Sequence, residues 1–111
     1  MSTGDIGSRR PDRRRAPRYA YRAHLEIEWG SARLKARTRD ISMGGMFIES
    51  EDVLWVGAGF RARLIVDRPV WVECSVKRVE AGMGMGVTIA HPEEQSTAHY
   101  RELLASLAEQ R

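Results

Sequence analysis

The chain has 111 residues, 42% of them apolar, which suits one modest core and excludes two ordinary ones as well as a wholly disordered chain. No run approaches the ~20 apolar residues of a membrane-spanning helix, and the first residues lack the apolar stretch of a secretory signal. The net charge is +3, but residues 1–22 hold seven arginines, no lysine and two aspartates, a local +5 that leaves −2 for the rest.

That asymmetry predicts an anionic partner for the N-terminal end. Residues 1–12 read as a flexible basic lead-in, rich in Gly, Ser, Pro and charge. Pro11 and Pro17 bracket the densest arginines, and the residue before a proline is pushed toward extended geometry, so this stretch is not helical. The folded domain is expected over residues 13–111.

From Tyr19 the residues alternate. Tyr21, Ala23, Leu25, Ile27 and Trp29 share one face, and Arg22, His24, Glu26 and Glu28 the other, as in a half-buried strand. Gly30-Ser31 is a two-residue turn. A second run follows, with Ala32, Leu34, Ala36 and Thr38 inward and Arg33, Lys35, Arg37 and Arg39 outward. The two runs pair as a hairpin in which the outward cations oppose Glu26 and Glu28.

The chain is expected to turn through Asp40–Gly45 and resume at Met46–Glu49. Later strands are marked by Phe60, Ala62, Leu64 and Val66, by Val70, Val72, Cys74 and Val76, and by Met85–Ile89. Six or seven short strands at this spacing predict an antiparallel barrel or sandwich, and a barrel hides the most strand edges. Pro92 opens a helix over about 92–109, with Tyr100, Leu103, Leu104 and Leu107 on the face that packs on the barrel.

Cys74 is the only cysteine, so no internal disulfide forms. With no signal, this favours the cytoplasm. His24, His91 and His99 lack metal-ligand spacing, and Ser42 has no histidine partner, so neither a metal site nor an enzyme is expected.

Two spacings carry chemistry. Arg14-Arg15-Ala16-Pro17-Arg18 is an RxxxR in an extended segment, and Asp40-Ile41-Ser42-Met43-Gly44-Gly45 is a DxSxxG between strands. Arginine grips a phosphate or the O6/N7 edge of guanine through two bonds and stacks on a purine. A carboxylate accepts from the N1–H and N2–H₂ of guanine. Gly45, with Gly44, is expected to supply positive φ and close backbone approach to a ligand. Such a site suits a ligand with both phosphates and guanine.

In this order, the two motifs resemble those of the PilZ family of bacterial cyclic di-GMP receptors. The resemblance runs from about Arg13 to Leu107 and includes Gly45-Met46-Phe47-Ile48 and Gly84-Met85-Gly86-Val87. It implies a mainly β fold, a six-stranded antiparallel barrel with a C-terminal α-helix. It implies cyclic di-GMP as ligand, bound by Arg14, Arg18, Asp40, Ser42 and Gly45, with Arg13, Arg15, Gly44 and Arg78 as further candidates, and no cofactor. One ligand or an intercalated pair is implied, depending partly on residues near Arg13. Ligand would order the arginine segment against the barrel and so alter binding of a downstream protein. Two other readings compete: a small barrel that binds nucleic acid through its basic arm, which the non-basic barrel disfavours, and an interaction adaptor with a vestigial nucleotide site.

Overall fold

A computed structural model of the protein describes residues 17–90 and 94–110. Within them lie seven strands and one helix. The strands are β1 (Arg18–Ala20), β2 (His24–Trp29), β3 (Ala32–Ser42), β4 (Gly45–Glu49), β5 (Gly59–Ile65), β6 (Val70–Glu80) and β7 (Gly84–Ala90), followed by α1 (Glu94–Glu109).

Every pairing is antiparallel. The order β3-β2-β5-β6-β7-β4 closes on itself because β4 also pairs with β3, which makes a six-stranded barrel with β1 as an added strand on β3. Closure leaves few unpaired edges. The inward positions follow the alternation read from the sequence: Leu25, Ile27, Ala62, Leu64, Val72 and Val76 are fully buried. Helix α1 lays Tyr100, Leu104 and Leu107 on the barrel, against β6 and β1. Its Glu94 stands in the first turn, where the helix dipole favours a negative charge. Pro92 and Glu93 lie outside the described residues.

The expected hairpin forms in the expected register. Glu26 lies between Lys35 and Arg63, and Glu28 between Arg33 and Arg61. Arg63 Nη2 donates to Glu26 Oε1 at 2.8 Å. The turn uses Gly30 at φ +61°, a value that glycine adopts without the steric cost of a Cβ.

Three local features depart from simple alternation. The strand expected to run unbroken from Tyr19 is split. β1 pairs with β3 one residue out of phase with β2, so an extra residue lies between them. Thr38 fills that break: its buried hydroxyl accepts from Ala23 N–H at 2.9 Å and donates to the Tyr21 carbonyl. Second, the turn expected over Asp40–Gly45 is shorter. Asp40, Ile41 and Ser42 belong to β3, and only Met43 and Gly44 link it to β4. The buried Ile41, which continues the core, holds the strand together to that point. Third, Trp29 ends β2 at the barrel rim, where it is 36% exposed and meets Trp55 edge to face at 5.2 Å.

Candidate functional site

Strict alternation along β3 would put Asp40 inside the barrel with Thr38 and Ala36. The pairing with β4 prevents this. Thr38 faces Ile48, but Asp40 faces Phe47, so Arg39 is an extra residue in a β-bulge. The bulge reverses the phase, and Asp40 emerges on the outer face beside Arg39.

There the carboxylate meets two guanidinium groups. Arg18 Nε donates to Asp40 Oδ1 at 2.8 Å, and Arg39 Nε donates to Oδ2 at 3.2 Å. Arg18 reaches this point because β1 sets it directly across from Ser42; its Nη1 also donates to Ser42 Oγ at 3.4 Å, a long contact. The Ser42 hydroxyl donates to the Gly45 carbonyl at 3.2 Å. Tyr100 donates its phenol proton to the Ser42 carbonyl at 2.6 Å. Burial, reinforced by Cys74 and opposed by Arg18, pushes the Tyr100 pKa up, so the phenol stays a donor.

A second bulge completes the site. In β6, Val76 faces Val87 but Arg78 faces Gly86, so Lys77 is the extra residue. Alternation from Val70 to Val76 would have turned Arg78 inward; the bulge turns it out. Asp40, Phe47, Gly86 and Arg78 then form one cross-strand row over β3, β4, β7 and β6. Phe47 is fully buried although it points outward, because the Arg39 guanidinium lies 3.8 Å from its ring centroid and that of Arg78 5.7 Å.

Of the residues expected from sequence, Arg18, Asp40, Ser42 and Gly45 come together, and Arg78 closes the far end of the row. Gly44 is exposed in the turn, where its carbonyl accepts from Ile89 N–H at 3.0 Å. Arg13, Arg14 and Arg15 lie outside the described residues, as does the lead-in over 1–12. The expected role of positive φ is corrected: neither Gly44 nor Gly45 has it. A Cβ on Gly45 would stand 2.5 Å from the Val87 carbonyl oxygen, so it is the close approach of β7 that demands glycine there. Sequence reasoning missed Arg39 and Phe47, because a bulge leaves no mark in an alternating pattern.

The site lies on the outward face of the sheet. A groove on the described surface lies elsewhere, between α1 and the β5–β6 turn, lined by Tyr21, His24, Val66, Arg68, His99 and Leu103, and it holds no motif residue. Among the described residues no group of His, Cys, Asp and Glu is gathered to hold a metal ion. No helix there is long and apolar enough to cross a membrane.

The PilZ domain family model matches residues 12–108. The chain belongs to the PilZ domain family. Solved structures agree on the fold. The PilZ domain of CeSA from a cellulose-synthesizing bacterium has a TM-score of 0.68 at 19% identity, covering 84% of this chain and 99% of that one. MrkH of K. pneumonia, solved as a c-di-GMP complex, has a TM-score of 0.70 at 17% identity, covering 85% and 51%. YcgR of Escherichia coli in complex with c-di-GMP has a TM-score of 0.71 at 16% identity, covering 88% and 47%. The PilZ chain here thus spans about half the length of the latter two. Comparison with curated protein sequences gives no significant match.

Proposed function

We propose that this PilZ domain is a cytoplasmic receptor for cyclic di-GMP. One observation carries the reading: Arg18, Asp40 and Ser42, from both family motifs, meet on one outer face within hydrogen-bond distance. An outward carboxylate matches the N1–H and N2–H₂ donors of guanine. A guanidinium fork matches phosphate or the O6/N7 edge. Two neighbours of the same fold, MrkH and YcgR, are c-di-GMP complexes, which supports the ligand class.

A sheet face grips a ligand from one side only. The second wall is assigned to the arginines just before β1: Arg14 completes the RxxxR pair with Arg18, while Arg13 and Arg15 add charge and stacking surface. Ligand fixes this segment against the barrel, and the altered surface changes the binding of a downstream protein. The domain acts by binding and not by catalysis.

The test is amide exchange with and without cyclic di-GMP. Protection should rise over residues 9–20 and around Asp40–Gly45. Unchanged exchange in both regions at saturating ligand contradicts the proposal. A nucleic-acid binder would respond differently: its affinity would fall steeply with salt, and Asp40→Ala would leave it intact or tighten it.

A further inference from the structure

The outer face of a barrel strand is an unusual place for a fully buried phenylalanine. Among the described residues, the guanidinium groups of two arginines lie over the Phe47 ring. The Arg39 guanidinium lies 3.8 Å from the ring centroid, while Arg78 approaches to 5.7 Å. Gly86 makes room for this, since a Cβ there would stand 2.8 Å from Arg78 Nη1 and 3.0 Å from its Cζ.

Arg39 is held from two directions. Phe47 lies against it, and its Nε is anchored to Asp40 Oδ2 at 3.2 Å. Its side chain is still 35% exposed. The result is a planar cation backed by an aromatic ring, open to solvent, and adjacent in sequence to the carboxylate of the motif. An ion pair with Asp40 alone would need neither a flat cation nor a ring; lysine would serve.

We infer that Arg39, laid on Phe47 and flanked by Arg78, is a preorganised stacking shelf that takes the flat face of a purine in the ligand. This rests on the cyclic di-GMP reading and adds to it a residue outside both motifs. Guanidinium groups stack on bases as they do on aromatic rings. A base placed on Arg39 continues the column that begins at Phe47. Because Phe47 and Asp40 already fix the side chain, little rotamer freedom is lost on binding.

Calorimetric titration of cyclic di-GMP into the wild type, Arg39→Lys, Arg39→Ala and Phe47→Leu tests the shelf, with thermal melts to show that each variant is folded. The shelf predicts that Arg39→Lys weakens binding as much as Arg39→Ala, each by about tenfold or more in Kd, equivalent to ~1.4 kcal/mol. Phe47→Leu keeps an apolar side chain but removes the aromatic backing, and should also weaken binding. Wild-type affinity in Arg39→Lys overturns the shelf, because charge alone would then suffice. Unchanged or tighter binding by Arg39→Ala overturns it too, since Arg39 would then be idle or would compete with the ligand for Asp40. Both results leave the receptor reading standing. A wild type that binds no cyclic di-GMP removes the receptor reading and the shelf with it.

Discussion

The hydroxyl of Tyr100 on α1 donates to the main-chain carbonyl of Ser42, the last residue of β3, at 2.6 Å in the buried core. The C-terminal helix is therefore bonded to the strand that carries the motif. Tyr100→Phe keeps the ring packing and removes the bond. It should cost about 1–3 kcal/mol, the usual cost of leaving a buried polar group short of a partner. Urea unfolding of the two proteins measures this, and an unchanged midpoint would show that the bond does not contribute.

Two glycines should respond differently to alanine. At Gly45 the new Cβ meets the Val87 carbonyl oxygen at 2.5 Å, which is backbone in a closed barrel and cannot move away alone. Gly45→Ala should therefore destabilise the fold by about 1–3 kcal/mol or more, as overpacking does. At Gly86 the obstacle is the far end of the flexible Arg78. Gly86→Ala should leave the melting temperature within a few degrees of wild type while displacing Arg78 from Phe47 and weakening the ligand. Equal thermal losses in the two variants would contradict this contrast.

Arg18 and Asp40 form a partly exposed pair, with side-chain exposures of 49% and 21%. Such pairs contribute about 0–1 kcal/mol to stability. Arg18→Ala and Asp40→Ala should therefore barely change the melt. Each should weaken cyclic di-GMP by about 1–3 kcal/mol, because a charged hydrogen bond to the ligand is lost. A large drop in stability with unchanged affinity would reassign the pair to the fold.

What the sequence showed and what it hid can be traced to particular residues. The inward runs Leu25–Ile27 and Val70–Val76, the Gly30-Ser31 turn and the Tyr100–Leu107 face were legible because burial imposes a period on side chains. The family resemblance, not periodicity, marked Asp40 and Arg78. Periodicity alone would have pointed both inward. Each is turned out by one extra residue, Arg39 or Lys77. A bulge is set by the partner strand, so it becomes visible only once the ladder is formed. For the same reason Phe47 looked like part of an ordinary strand, and its arginine cover was not foreseen.

Burial pushes the Cys74 thiol up to about 12 from 9.0, with Glu73 adding to the shift, and raises the Tyr100 phenol as well. Both groups are neutral when protonated, and the fold holds them in that form. Their stabilisation is complete below the unfolded pKa values and is lost as pH rises from about 9 toward 12, because the unfolded chain loses its protons first. Melting temperature should thus be level near neutral pH with respect to these groups and fall above pH 9. Cys74→Ala should make that fall shallower, with Tyr100 left as the remaining contributor. An alkaline slope identical in the two proteins would contradict the assignment.

The face around Asp40 is the surface proposed to receive cyclic di-GMP. Calorimetric titration of the purified protein with cyclic di-GMP, beside GTP and cyclic di-AMP, tests it most directly. Cyclic di-GMP alone should bind saturably, with a stoichiometry that reports one ligand or a pair, and Asp40→Ala should lose most of that binding. No heat of binding at high micromolar cyclic di-GMP, together with no shift in melting temperature, would contradict it.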